Sequence, residues 1–360
     1  MSKNIYLSTR DKSLEELSLS LPPNNEIVVD DMGDPSVMVK IPQLTYKDVG
    51  IGTSTNVLPA FKVNGKTIPY LYISKYQNIV KNDRAYSLPY KAPAVNMTID
   101  QARTYCENKG AGWHLMTNAE WAAIALWCKK HDCQPYGNNN GSYGDYYNTT
   151  DKGAPMPVYD EGYADNVPYT TTGSGPKSWF HNNDFSGIAD LNGNVCEWVG
   201  GLRLNNGEIQ VIPDNNAAQA VDQGADSALW KAISQTGAMV APGTDGALKF
   251  NSTTGIKTSG TFKSMTVASG ITIPDYLKAL ALYPNDAADT YKGDYFYAGT
   301  SGEKVPYRGG NFNNNDNAGV FYYNLNNGRT NYNYNIGFRS ASLLQPDTAY
   351  LPGMPSARRD

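Results

Sequence analysis

The chain has 360 residues, 40% of them hydrophobic and only 18% charged, so it can bury a sizeable core and is not globally disordered. Its net charge of −4, with no basic cluster longer than the Arg358-Arg359 pair, excludes a nucleic-acid partner held through phosphates. No apolar run is long enough to span a bilayer and the opening residues lack the apolar core of a secretory signal, so we expect synthesis and folding in the cytoplasm without membrane insertion.

Residues 1–35 are expected to form an N-terminal arm. Ser13 and Glu16 stand at capping-box spacing before a Leu-rich stretch that stops at Pro22-Pro23, which predicts a short helix and a linker, suited to assembly with other proteins. The main domain is expected over 36–345. Alternation in the stretch 35–43 predicts a strand, and 59–76 predicts two more, joined at the Asn64-Gly65 turn. Thr98 and Gln101 form a capping box for a helix that closes at Gly110. Thr117 and Glu120 repeat the device, and the helix they open places Trp121, Ile124, Ala125 and Cys128 on one inward face. From Cys133 to about Phe185, Gly, Asn, Tyr and Pro indicate long ordered loops. The stretch DLNGNVCEWVGGL, from Asp190, then predicts a turn into a buried strand with Trp198 in the core. Residues 202–304 read as an insertion, with helices predicted in 225–233 and 274–283 and a strand in 262–273. A C-terminal tail is expected over 346–360.

Chemical candidates are few. Cys128, His131 and Cys133 offer three soft ligands at a helix end, one short of a structural zinc set, so the cysteines read as small buried hydrophobes. Cys106 and Cys196 complete an irregular set that is no disulfide framework. His114 and His181 stand alone, and no spacing of a known hydrolase motif is present. Asp190, Asn192, Asn194 and Glu197 bring oxygen ligands close together, a calcium candidate set against an Asx-type turn whose side chains cap their own backbone.

Four motifs in fixed order carry a resemblance: the stretch from Ala92 to Cys128 containing both capped helices, then LNGNVCEW, YRGGNF and IGFR. Together they resemble the formylglycine-generating-enzyme (sulfatase-modifying factor) family from about Pro35 to Ser342, interrupted by the insertion. The resemblance implies an α+β, C-type-lectin fold with two helices, antiparallel sheets and long loops. It also implies a calcium site at Asn194 and Glu197, although Cys196 replaces the Trp usual in the motif. The enzymes of that family need redox-active cysteines shortly before the GFR signature, and here the last cysteine is Cys196. An iron-dependent branch needs a His cluster, and the three His residues here are scattered. We therefore expect a catalytically empty version of the fold, with no required cofactor.

The segment RGGNFNNNDNAGVFYYNLNNGRTNYNYNIGFRSA resembles the variable region of proteins diversified by diversity-generating retroelements, in which adenines of a template are randomised. An AAY Asn codon changed at its adenines yields Tyr, Asp, His, Ser, Thr or Ile and never a stop. That implies a variable region over about 308–339. Its replaceable positions would be Asn311, Asn313, Asn314, Asn315, Asp316, Asn317, Tyr322, Tyr323, Asn324, Asn326, Asn327, Thr330, Asn331, Tyr332, Asn333 and Tyr334. Arg308, Gly309, Gly310, Ala318, Gly319, Val320, Leu325, Gly328, Arg329, Ile336, Gly337, Phe338 and Arg339 would be the frame. Tyr and Asn are the residues that antibody paratopes favour, one for rigid amphipathic area and the other for adaptable hydrogen bonding. Strand alternation in NYNYN predicts Tyr332 and Tyr334 on one face, each an anchor contributing on the order of 2 kcal/mol.

The function expected is ligand binding by a hypervariable surface, set on a phage tail tip. The partners would be a host cell-surface receptor, protein or glycan, and other virion proteins reached through the arm, in a homotrimer. Two alternatives are an oxidoreductase in which Cys128, Cys133 and Cys196 meet at one pocket, and a structural virion protein without a ligand.

Overall fold

Both capping boxes form. Thr98 accepts from Gln101 N–H while the Gln101 side chain takes the Thr98 N–H, opening α1 (Ile99–Glu107). Thr117 and Glu120 make the same exchange and open α2 (Asn118–Lys130), whose side chains from Asn118 to Leu126 are all buried. The computed structural model describes residues 17–157, 167–287 and 290–343. Ser13, Glu16 and the 346–360 tail lie outside the described residues.

The three larger sheets share one core cluster with α2. The first has the order Asn25–Val29, Pro35–Pro42, Tyr70–Ser74, Ser340–Ser342, Trp113–Leu115, so a strand from the far end of the chain is threaded between two early ones. Asn25–Val29 pairs with Pro35–Val39, and the domain therefore begins about ten residues before the expected boundary at 36. That strand, NEIVV, follows directly on the two prolines that suggested a linker. The central sheet has the order Ser259–Thr261, Tyr295–Ala298, Gly319–Leu325, Tyr307–Gly309, Cys196–Trp198, Ile336–Phe338, with two of its five pairings parallel. The third sheet belongs to the insertion and runs Met239–Val240, Lys231–Ile233, Glu208–Val211, Leu202–Asn205, Glu303–Lys304.

The insertion corrects three expectations. Residues 225–233 are turns that lead into the strand Lys231–Ile233, because Ala232 and Lys231 pair with Gln210 and Val211 while Trp230 buries beside Ile212 and Ala217. The predicted strand over 262–273 starts instead as a 3-10 turn at Phe262–Ser264, and the strand proper is Ser259–Thr261. In 274–283 only α3 (Asp275–Ala279) is helical. The insertion also supplies two strands to the central sheet, one of them paired directly with Gly319–Leu325.

Alternation along Gly319–Leu325 divides the core. Phe321, Tyr323 and Leu325 join the main cluster with Trp121, Phe250, Phe262 and Phe296. Tyr322 points the other way, into a second cluster beneath α1 with Ile99, Ala102, Cys106, Cys196, Trp198, Tyr307 and Phe338. All four cysteines are free and buried.

Asp294 fastens the insertion to the Gly319–Leu325 strand. Its fully buried carboxylate accepts the Phe321 N–H at 2.8 Å, and a Cβ at Gly319 would stand 2.1 Å from Asp294 Oδ1, so the strand closes on the carboxylate only through glycine. Gly319→Ala should cost about 1–3 kcal/mol by forcing the two apart, readable as a lowered denaturation midpoint. Burial pushes the Asp294 carboxyl from 3.8 up to about 7. A pKa raised on folding gives stability that is complete below the unfolded value and lost as pH rises through the folded one. The thermal midpoint should therefore fall between about pH 4 and about pH 8, and fall less in Asp294→Asn. Parallel falls in the two proteins would place the pH dependence elsewhere, His114 being a group with the same sign.

Candidate functional site

The Asn/Tyr segment is held at each end by a buried arginine. Arg339 Nε and Nη2 donate to Glu197 Oε2 at 2.5 Å and Oε1 at 2.6 Å, and its other N–H groups reach Ser74 O at 3.1 Å and Ala189 O at 3.0 Å. Among the described residues Arg308 has no carboxylate opposite it. It donates twice to Asn118 Oδ1, at 3.0 and 2.6 Å, and to the carbonyls of Leu280 and Ala281 at 3.1 and 3.2 Å. The ring of Tyr323 faces its guanidinium at 5.0 Å. Close approaches fix the neighbouring glycines: a Cβ at Gly310 would meet Ala318 Cβ at 2.6 Å, and one at Gly337 would meet Ala94 O at 2.5 Å.

Between these clamps the predicted contact residues separate by burial. Asn313, Asn315, Asn326, Thr330, Tyr332, Asn333 and Tyr334 are exposed, and Asn314, Asp316, Asn317, Asn324, Asn327 and Asn331 are half-buried. Asn311, Tyr322 and Tyr323 are buried. Tyr323 is a core residue: it packs on Phe250, Phe262 and Phe296, and its hydroxyl donates to Leu282 O at 3.3 Å. Tyr322 is covered by Tyr297 and the Cys196 cluster, and the Asn311 amide lies 3.7 Å from Cys196 Sγ. Two adjacent tyrosines in one strand must face opposite ways, and here both sides of the strand are packed. NYNYN is not a strand. Tyr332 and Tyr334 lie in a loop pinned by Asn96 N–H to Asn333 O at 3.1 Å and Tyr169 Oη–H to Tyr334 O at 2.5 Å, and they are 64% and 42% exposed.

A second tyrosine-bearing loop borders the segment. Asn315 N–H donates to Asn139 O and Gly141 N–H to Phe312 O, each at 2.7 Å, which brings the exposed Tyr146 and Tyr147 alongside. Tyr147 lies close enough to Asp316 for that charge to add to the effect of burial in raising its hydroxyl pKa. The stretch GSYGDYY carried this signal in its composition, but read in isolation it was one more ordered loop.

The oxygens proposed for calcium are already engaged. Glu197 is occupied by Arg339 and by Gln77 Nε2 at 3.1 Å. Asn194 Oδ1 takes Thr170 N–H at 2.9 Å, and its amide donates to Gln77 Oε1 and Thr170 O. Asn192 bonds to Asn139 and Pro135 O, and Asp190 takes the Gly173 N–H while burial pushes its carboxyl up to about 6. With Asp190, Gly193 and Asn194 at positive φ, the turn uses these side chains to staple the loops around 135–139 and 170–173. Among the described residues no group of three or more His, Cys, Asp or Glu is placed to hold a metal ion. Cys128 and Cys133 lie in the main cluster and Cys196 in the second, so the three do not converge. His131 and His181 both lie against Trp127, while His114 pairs with Glu120 at 2.9 Å.

Residues 66–269, more than half of the chain, match the family described as Sulfatase-modifying factor enzyme 1-like domain. The chain belongs to this family. Its α+β architecture of few helices and several mainly antiparallel sheets is the C-type-lectin-like fold expected. The family match ends at residue 269, so the Asn/Tyr segment lies beyond it. Comparison with curated protein sequences finds no match. Among solved structures the chain is similar to PvdO from Pseudomonas aeruginosa, at 15% identity and a TM-score of 0.36, over 88% of this chain and 98% of that one. It is also similar to Treponema denticola variable protein 1, at 13% identity and a TM-score of 0.34, over 89% and 99%. A third is the Major Tropism Determinant P3c variant, at 12% identity and a TM-score of 0.31, over 88% and 71%.

Tyr323→Ala should cost about 3–5 kcal/mol in chemical denaturation, as for other buried aromatic truncations, whereas Tyr332→Ala should change stability by less than about 0.5 kcal/mol. Glu197→Ala should cost about 3–5 kcal/mol by leaving Arg339 buried and unpaired. Excess calcium should leave the thermal midpoint of the native chain unchanged, and a rise of several degrees would restore a cation at the DLNGN turn.

Proposed function

We propose that the protein binds ligands through a hypervariable surface formed by residues 311–335. The observation that carries this is the division of one short segment. The residues that replaceable Asn codons would encode are mostly at the solvent boundary, and the interleaved Arg, Gly and apolar residues are buried except for the half-buried Gly328 and Arg329, with Gly310, Gly319 and Gly337 held by close approaches. Change can then accumulate on the outside without disturbing the sheet. We further propose that the setting is a phage tail and the ligand a receptor on a host cell, which rests on the resemblance of this segment to retroelement-diversified variable regions. The protein acts in this account without catalysis, and the separation of Cys196 from Cys128 and Cys133 leaves the relocated-cysteine alternative without its pocket.

The reading is tested by sequencing the gene and its neighbourhood across sibling isolates. A near-identical template repeat beside a reverse-transcriptase gene is expected, with sibling differences confined to template adenines. They should fall at exposed and half-buried positions such as Asn313, Asn326, Tyr332 and Tyr334, and leave Arg308, Gly310, Gly337 and Arg339 untouched. Differences spread evenly through the gene would overturn it.

A further inference from the structure

A cavity of about 180 Å³ lies between the strand Pro35–Pro42, α2 and the turn at 181–186, and none of residues 308–339 lines it. Its walls are largely apolar: Val39, Ile41, Leu44 and Ile124, with the ring of Trp127 beside them. Among the described residues its polar lining side chains are exposed or half-buried except that of His181, which is 7% exposed.

His181 is locked through its backbone and one edge of its ring. Its N–H donates to Ile188 O at 2.9 Å, Cys128 Sγ donates to its carbonyl at 3.1 Å, and Nδ1 accepts the Ile188 N–H at 2.7 Å. A neutral imidazole that accepts at Nδ1 carries its proton at Nε2. Burial, and after it the charges of Arg339 and Lys75, push the His181 pKa down to about 3, so the ring is neutral at ordinary pH. Its Nε2–H has no hydrogen-bond partner among the described residues, and with Nδ1 spent on the backbone it is the polar group the ring offers the cavity. Neighbouring polar groups are committed elsewhere. Asn182 donates to Ser186 Oγ at 2.9 Å and accepts the Asp184 N–H at 3.1 Å, while Lys40 lies over the Tyr70 ring and 3.7 Å from Glu26. Lys75 bonds Asn25 and the Phe185 carbonyl, and Arg339 bonds Glu197. A buried donor without a partner is costly, and an accepting atom brought by a ligand removes that cost.

We propose that this cavity binds a small neutral molecule, one apolar ring bearing a single accepting oxygen (a ketone, aldehyde or ether), which takes the His181 Nε2–H. The site is separate from the variable segment and does not depend on the hypervariable-surface reading. Size sets the ring: an apolar cavity of about 150 Å³ accepts benzene, so about 180 Å³ holds one ring with a small substituent. The walls favour an apolar body, whose transfer from water drives binding. One donor sets one acceptor, because further polar atoms would be buried unpaired. A carboxylate would give up its water for a single neutral donor, since the cations nearest His181 are already engaged.

The test titrates the full chain, carrying isotope-labelled histidine, with three probes: acetophenone, α-methylstyrene, which has the same shape without the accepting oxygen, and benzoate. The His181 Nε2–H proton is followed by NMR and assigned by its loss in His181→Asn, whose Oδ1 can still accept the Ile188 N–H. Acetophenone is expected to bind with a Kd of about 1 mM or tighter and to move this proton. α-Methylstyrene should bind at least about 3-fold more weakly, and benzoate should not bind measurably. Leu44→Phe, which fills the cavity, should abolish acetophenone binding, and His181→Asn should weaken it to the level of α-methylstyrene. The native-chain titration decides even where Leu44→Phe fails to fold. No saturable binding of acetophenone, or binding that leaves the His181 proton unmoved and survives both substitutions, would overturn the site. Equal affinity for α-methylstyrene would overturn the role of the donor, and tighter binding of benzoate the choice of a neutral ligand.

Discussion

Two buried arginines set the terms for everything between them. Arg308 and Arg339 enter and leave the segment of about thirty residues in which the contact positions lie, and each reaches groups from distant parts of the chain. Arg339 joins Glu197 of the central sheet to Ser74 and Ala189, so one guanidinium links two sheets and a loop. Removing one partner of such a pair leaves a buried charge unsatisfied, at a cost of several kcal/mol. A segment whose contact residues are free to change needs ends whose positions do not depend on those residues, and fixed donors aimed at backbone carbonyls and a carboxylate provide that independence.

The same logic explains the distribution of glycine and of aromatic residues. Gly310 and Gly337 lie where backbone or Cβ atoms approach too closely for any side chain, and Gly319 lies where Asp294 does. Tyr323 resembles its neighbour Tyr322 only in sequence: one ring closes over Arg308 in the main core and the other is enclosed beneath the opposite face. The Asn/Tyr composition of the segment therefore mixes two populations, a minority that holds the strand in place and a majority at the solvent boundary.

Much of this was legible before any coordinates. The two capping boxes are local, four-residue statements about hydrogen bonds, and both form at the residues that announce them. The frame of the segment was legible because arginine and glycine at close spacing in an otherwise uniform stretch imply constraint. What escaped was non-local. Burial of Tyr322 and Tyr323 depends on the strand Tyr295–Ala298 arriving from the insertion, and nothing within 308–339 encodes that neighbour. Trp230 and Ala232 sit in a helix-like pattern overruled by pairing with Glu208–Val211. The oxygens of the DLNGN turn suggest a cation by spacing alone, and only the positions of Arg339, Gln77 and Thr170 show that their bonds are already made.

The central claim is that the segment combines a rigid frame with a tolerant surface. Its most direct measurement is saturation mutagenesis of residues 308–339 scored by display of folded protein, with no ligand present. The account predicts broad tolerance at Asn313, Asn315, Asn326, Thr330, Tyr332, Asn333 and Tyr334. It predicts near-complete intolerance at Arg308, Gly310, Gly319, Tyr323, Gly337 and Arg339. Tolerance spread evenly along the segment, or intolerance at the exposed Asn and Tyr positions, would contradict it.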